Sequence, residues 1–131
     1  MSLTKPVVLK NGEVVDIDNY IVDIITFLDS RGVPTRFSCS GLMEDHPELV
    51  LEKYRYHGYI HFRYDDSLWK IFEDNAERFH EIDVVVVLTK YIRAPHRNRY
   101  LDNISLYIED LDDEVVKSKW DKLLELFKEM F

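Results

Sequence analysis

The sequence predicts an α+β fold of two layers, in which a mainly antiparallel sheet of about four strands carries helices on one face and an N-terminal hairpin is added. Three observations lead to this prediction: an Asn-Gly pair between short apolar runs, segments that alternate polar and apolar residues, and segments with helical periodicity. The chain has 131 residues, of which 46% are hydrophobic, so residues 1–131 are expected to form a single domain with one core.

The first two predicted elements are a hairpin and a helix. Asn11-Gly12 lies between two short apolar runs and predicts a hairpin, because both residues tolerate positive φ. Apolar residues then follow a 3.6-residue period over residues 17–28. Gly32 and Pro34 are expected to end this helix.

The central segment predicts two strands and a second helix. Thr35–Cys39 is expected to be a strand that ends in a tight turn at Ser40-Gly41, and Tyr56–Tyr64 alternates like a half-buried strand. One helix is expected to begin after a cap at Asp65 and to continue to about Phe79.

The last third of the chain predicts two more strands and a helix. Val84–Leu88 is apolar throughout, which is typical of a strand that is buried on both faces. Asn103–Glu109 alternates, with its aliphatic residues expected to point inward. Asp112-Asp113 is expected to cap the final amphipathic helix.

A polar face is predicted on the strand Tyr56–Tyr64. Alternation places His57, Tyr59, His61 and Arg63 on one side of it, which is expected to point away from the helices. Two imidazoles, a phenol and a guanidinium on one face suit a phosphate-bearing ligand.

The preceding strand is expected to add hydroxyl groups to this polar face. Phe37 is expected to face the core and to turn Cys39 inward, which would leave Arg36, Ser38 and Ser40 on the opposite side. Two hydroxyls, the N–H groups of a glycine-containing turn and a nearby cation can form an anion pocket. A strand end that is simply capped by serines is the alternative.

The predicted site residues share hydroxyl, imidazole, guanidinium or turn chemistry. The predicted ligand-binding residues are Arg36, Ser38, Ser40, Gly41, His57, His61, Arg63, Arg93, Arg97 and Arg99. The last three are expected at the rim of the site, and the loop Met43–Glu48 is expected to cover it.

Catalysis is a second hypothesis, with Cys39, His57 and His61 as its candidate residues. A thiol becomes a nucleophile when a cation or histidine lowers its pKa, whereas a lone cysteine is more often a small buried hydrophobe. The Cα atoms of His57 and His61 are expected about 13 Å apart, at about 3.3 Å per residue, which is too far to share one ion. No metal site is predicted and no cofactor is assigned.

The charge distribution bears on the partner. The formal net charge of −8 disfavours bulk attraction to nucleic acid or anionic lipid. Seven of the 17 Lys and Arg residues lie in segments 53–63 and 90–99, which contain no Asp or Glu. Local basic surface on an acidic chain suits a small anionic ligand better than a long polyanion, although contact of these aromatic and basic segments with RNA is an alternative.

The expected location is cytoplasmic, without membrane contact. No apolar run is long enough to cross a bilayer, and the first residues lack the pattern of a signal peptide. The single cysteine, Cys39, suits a reducing compartment. A homodimer through an exposed sheet face or through the last helix is a further hypothesis.

Two short motifs carry resemblances. With Ser38-Cys39-Ser40-Gly41 after a helix and with Gly58–Phe62, the chain resembles short bacterial and phage-encoded proteins that have a Cys-Ser-Gly turn and a Tyr-Ile-x-Phe strand. This resemblance implies a similar fold. Thr35–Gly41 is also similar to a Ser-Ser-Cys-Ser-Gly-Arg segment of the wybutosine-pathway tRNA methyltransferase family, which implies S-adenosylmethionine-dependent activity.

Three functional hypotheses follow from the sequence. The first is a small domain that binds a phosphate-bearing ligand, either a nucleotide or RNA, at the Ser-Cys-Ser-Gly turn and the His/Arg strand face. The second is an enzyme, with a Cys-His nucleophile or a tRNA-modifying transferase activity. The third is a structural or regulatory module for protein–protein interaction.

Overall fold

The computed structural model describes residues 4–33, 35–42, 58–90, 102–110 and 112–131. These residues form a four-stranded antiparallel sheet, a separate two-stranded hairpin and several helices, which confirms the predicted α+β class and the N-terminal hairpin. In chain order the elements are strands β1 (Thr4–Val8) and β2 (Val14–Asp18), a 3-10 turn (Asn19–Ile21), helix α1 (Val22–Ser30), strands β3 (Thr35–Cys39) and β4 (Gly58–Arg63), helices α2 (Asp66–Asp74) and α3 (Ala76–Glu81), strands β5 (Val85–Thr89) and β6 (Asn103–Ile108), and helix α4 (Asp113–Met130).

Two predicted helices differ from the observed ones. The predicted helix at 17–28 begins later, at Val22, because Ile17 belongs to β2 and Ile21 belongs to a 3-10 turn, although both are buried. The predicted single helix after Asp65 is divided at Asn75. The Asn75 side-chain amide donates to the carbonyl oxygen of Ile71 at 2.8 Å, and such a local bond competes with the helical ladder.

The four-stranded sheet has the order β3-β4-β6-β5, and every neighbouring pair is antiparallel. One face packs against the helices through Ile60, Phe62, Ile104, Leu106 and Ile108, all completely buried. We call the other face, which none of the described helices covers, the open face. Period-two alternation therefore sorts each strand between the core and the open face.

The core is rich in aromatic rings. Phe72 of α2 packs against Phe62 of β4, Phe79 of α3 and Phe127 of α4, with ring centroids 5.4, 5.5 and 6.5 Å away. Edge and tilted contacts of this kind add to the free energy gained by burying the rings. They join the helical layer to the centre of the sheet.

Strand β5 corrects the expectation of a strand buried on both faces. It lies at the edge of the four-stranded sheet, and Val85 and Val87 are 56% and 38% exposed. A continuous apolar run predicts two covered faces only when a second layer exists on each side. Here the outward valines belong to the open face.

Strand β3 corrects the expectation that Phe37 and Cys39 point inward. Phe37 is 63% exposed, and its Cα partner on β4 is His61, while Cys39 pairs with Tyr59. Paired residues share a face, so both lie on the open face. The cause is a β-bulge between Thr35 and Phe37, which shifts the alternation by one residue.

Candidate functional site

The open face carries mostly aromatic and polar side chains. If a second layer packed on this face, aliphatic side chains would be expected there instead. Register and alternation place there Phe37, Cys39, Tyr59, His61, Arg63, Val85, Val87, Thr89, Asn103, Ser105 and Tyr107. The polar members cluster on β4 and β6, because His61 pairs with Ser105 and Arg63 pairs with Asn103.

Arg36 reaches across this face. It is the extra residue of the β3 bulge, and its Nη1 donates to Oδ1 of Asn103 at 2.9 Å, two strands away. Its guanidinium carbon lies 5.9 Å from the centre of the Phe37 ring, a cation–π distance. The contact with Asn103 orients the guanidinium.

His61 sits at the centre of the open face. Its Nδ1 is 2.6 Å from the hydroxyl oxygen of Ser105, a residue only 2% exposed. The Tyr59 ring lies 4.7 Å from the imidazole, and the Tyr107 ring meets it edge-on at 5.9 Å. Partial burial and, second, the nearby positive charge of Arg36 lower the pKa of His61 below 6.5. The imidazole is therefore held in its neutral form at neutral pH.

Tyr59 lies between His61 and the edge strand β3, because its ring contacts the imidazole and its Cα partner is Cys39. Burial raises the pKa of Tyr59 above 10.0, and the nearby Cys39, Asp18 and Tyr107 raise it further. The phenol therefore stays protonated and keeps its O–H as a donor. Cys39, half-buried opposite Tyr59, lies diagonally from His61 on the same face.

The Ser-Cys-Ser-Gly turn has a structural role in this fold. Ser40 is completely buried; its N–H donates to the Asp18 carboxylate at 2.8 Å, and its carbonyl accepts from the Trp120 indole at 2.8 Å. The Ser40 hydroxyl accepts from the N–H of Leu42 at 3.2 Å. Gly41 supplies the positive φ of 72° that the turn requires. The N–H of Ser40 is thus used within the protein.

The predicted site residues separate into three groups. Arg36 and His61 come together on the open face, and strand register places Arg63 on the same face. Ser38 pairs with Ile60 and so points to the opposite side, and Ser40 and Gly41 are buried, so the expectation that the serines join the imidazole is wrong. Outside the described residues lie His57, Arg93, Arg97, Arg99 and the loop Met43–Glu48.

Four residues of the open face that lie around Arg36 and His61 were not predicted as part of a site. Asn103, Ser105 and Tyr107 alternate with the buried aliphatic residues of β6, so the pattern of that strand contained the signal. Phe37 was assigned to the core because the bulge leaves no mark in the local sequence.

The described ranges contain neither a metal-binding cluster nor a membrane-spanning helix. Over 4–33, 35–42, 58–90, 102–110 and 112–131, no group of three or more His, Cys, Asp or Glu side chains could hold a metal ion. In the same part of the chain, no helix has the length and apolar character needed to span a bilayer. Neither family models, curated proteins nor solved structures gave a match to the chain. The two resemblances noted in the sequence therefore remain predictions.

Proposed function

We propose that the protein binds a phosphate-bearing ligand, a nucleotide or RNA, on the open face around Arg36 and His61. The observation that carries this proposal is the Arg36 guanidinium, which Asn103 holds across the sheet beside an imidazole fixed by Ser105. Arginine donors in a fixed fork match the oxygen atoms of a phosphate.

His61 supplies a second donor in this proposal. When the Ser105 hydroxyl donates to Nδ1, the imidazole proton resides on Nε2. A phosphate that accepts hydrogen bonds from Nε2 of His61 and from Arg36 brings negative charge next to both side chains. This charge offsets the positive charge of Arg36, which otherwise disfavours protonation of His61. Its negative charge then raises the pKa of His61, so binding is accompanied by proton uptake as the pH falls.

The exposed rings support a ligand that also contains a base. Phe37, Tyr59 and Tyr107 lie beside the two donors, and aromatic rings on an open sheet are used to stack bases. The rings also explain why the face is only partly polar. A cytoplasmic location, where nucleotides and RNA are abundant, fits this function.

Isothermal titration with inorganic phosphate and nucleoside 5′-monophosphates tests the proposal. Arg36→Gln and His61→Gln are expected to weaken binding at least tenfold each, since a hydrogen bond to a charged group contributes about 1.5–3 kcal/mol. Arg31→Gln is the matched control, because Arg31 is also exposed and also lies over a phenylalanine, with 5.2 Å to the Phe27 ring. Equal losses in all three variants, or no binding by the unchanged protein, would refute the proposal.

A second candidate function is self-association through β5. This edge strand exposes Val85 and Val87 and contains no charged residue, whereas edge strands are usually protected by charge, proline or a bulge. Sedimentation velocity tests it: a dimer that Val87→Lys converts to a monomer supports association, and a monomer at all concentrations excludes it.

A third candidate is nucleophilic chemistry at Cys39. The bulge brings Cys39 to the same face as His61, contrary to the inward orientation expected from the sequence. The rate of thiol modification against pH decides: a midpoint well below the ordinary thiol pKa of about 8.5 supports an activated nucleophile, and slow modification with an ordinary midpoint excludes it.

A further inference from the structure

The N-terminal hairpin and the edge of the main sheet face each other across a cleft of about 430 Å³. Its walls belong to two separate sheets, because β2 pairs with β1 and β3 pairs with β4. The bond from the Ser40 N–H to Asp18 ties β2 to the end of β3. The residues lining the cleft are Leu9, Glu13, Val15, Asp16, Ile17, Thr35, Arg36, Phe37, Ser38 and Tyr59.

The two walls of this hairpin cleft differ in chemistry. The sheet wall presents the rings of Phe37 and Tyr59 beside Arg36, the residue that the proposed function assigns to phosphate. The hairpin wall presents Glu13 and Asp16, both exposed. Carboxylates accept hydrogen bonds and do not donate them, so an occupant must bring donors of its own.

We propose that the hairpin cleft takes the base and ribose of one nucleotide, which makes the ligand a mononucleotide rather than an RNA strand. This inference rests on the proposed function, because it starts from a phosphate at Arg36 and His61. The base stacks on Phe37 or Tyr59, and the ribose hydroxyls or a base amino group donate to Asp16 or Glu13. Pockets of about 300–1,000 Å³ are typical for small ligands, and this cleft lies at the low end of that range.

A polynucleotide fits the same cleft poorly. The phosphates that flank a bound nucleotide would approach Glu13 and Asp16, and the protein carries a net charge of −8. Both effects oppose a second and third phosphate, whereas a single terminal phosphate reaches the cation.

Titration calorimetry with three probes tests this inference: inorganic phosphate, the four ribonucleoside 5′-monophosphates, and a ten-nucleotide RNA. At least one monophosphate is expected to bind at least tenfold more tightly than phosphate, and the RNA no more tightly than that monophosphate. Phe37→Ala should weaken the monophosphate at least fivefold more than it weakens phosphate, which is the lower end for a stacked base. Asp16→Asn should act likewise, while Asp23→Asn on helix α1 serves as the carboxylate control.

The outcomes separate this inference from the proposed function. If phosphate and all monophosphates bind equally, or if Phe37→Ala and Asp16→Asn change nothing, the cleft is not the nucleoside site, although phosphate binding at Arg36 and His61 stands. An RNA that binds more than tenfold tighter than every monophosphate overturns the inference in the same way. If none of the probes binds, the proposed function itself is wrong.

Discussion

His61 has two neighbours that set its chemistry at the scale of single residues. The Ser105 hydroxyl fixes the ring through Nδ1, and Arg36 adds a positive charge that, with partial burial, favours the neutral imidazole. A histidine that was free in solution would be about one quarter protonated at pH 7, given a pKa near 6.5. In the folded protein the protonated fraction of His61 is smaller, because its pKa is lowered. An anion bound next to the ring would increase that fraction.

The lowered pKa of His61 gives a stability prediction. Well above pH 6.5 the ring is neutral in both the folded and the unfolded chain, so it imposes no penalty. As the pH falls below 6.5, the unfolded chain takes up a proton that the folded state resists, and the free energy of unfolding decreases. Urea unfolding of the protein and of His61→Gln from pH 7.5 to 5 measures the difference.

The variant is expected to lose less stability than the parent protein over this range. His80→Gln is the control, since His80 is exposed on helix α3. Parallel pH profiles for the parent protein and His61→Gln would show that His61 is not held neutral.

Gly58 lies in close contact with Ser40, at the turn after β3, and with the Trp120 side chain. A Cβ atom there would lie 2.6 Å from the Ser40 carbonyl oxygen and 2.9 Å from the Trp120 ring. The carbonyl cannot move away without losing its bond to the Trp120 indole. We therefore expect Gly58→Ala to lower the free energy of unfolding by about 1–3 kcal/mol, as overpacking does. Chemical denaturation checks this, and an unchanged midpoint would contradict the packing described.

At the scale of elements, a hydrogen bond between two residues that are far apart in sequence joins helix α4 to the N-terminal half. The Tyr20 hydroxyl, on the 3-10 turn after β2, donates to the Asp121 carboxylate at 2.9 Å. Burial and this bond raise the pKa of Tyr20 to about 12. The contact therefore requires the protonated phenol.

Tyr20 gives a prediction for alkaline pH. Its stabilising effect is complete below pH 10, the unfolded value, and is lost as the pH rises through about 12. Tyr20→Phe should be less stable than the parent protein at pH 8, and the difference should shrink between pH 10 and 12. Thermal unfolding across this range measures it. A difference that does not change with pH would mean that the hydroxyl contributes by packing alone.

The elements also show what the sequence could and could not predict. Alternation identified the outward set Tyr59, His61 and Arg63, because β4 is regular and its period is two. The same rule failed on β3, since the bulge at Arg36 depends on pairing with another strand. It failed on β5 because the position of a strand within the sheet is a property of the whole sheet order, which a local apolar run does not encode.

At the scale of the whole molecule, the two-layer architecture leaves one sheet face for the proposed site. One face of the sheet packs against the core, which includes Phe62, Phe72 and Phe127. The other face can carry aromatic and charged side chains without changing the packing of that core. The predicted class followed from periodicity, and the N-terminal hairpin followed from the Asn-Gly pair. The cleft did not, because Asp16 and Phe37 meet only through the packing of the hairpin against β3, which is long-range in sequence.

The acidic background of the molecule gives a prediction about ligand length. With a net charge of −8, the protein should bind a two-nucleotide RNA no more tightly than a monophosphate at about 0.02 M salt, where charges act over the longest range. Raising the salt to about 0.5 M should screen this repulsion and bring the affinity of the two-nucleotide RNA closer to that of the monophosphate. Competition titration at the two salt concentrations measures the ratio, and a longer ligand that gains affinity at low salt would contradict this electrostatic argument.

The decisive measurement is a nuclear magnetic resonance titration of the isotope-labelled protein with the tightest-binding nucleoside monophosphate. We expect amide shifts on β3 and on the facing parts of β4 and β6, together with a rise in the pKa of the His61 imidazole when the ligand saturates the protein. Shifts confined to the helices or to β5, with the His61 pKa unchanged, would show that the open face around Arg36 is not where a phosphate binds.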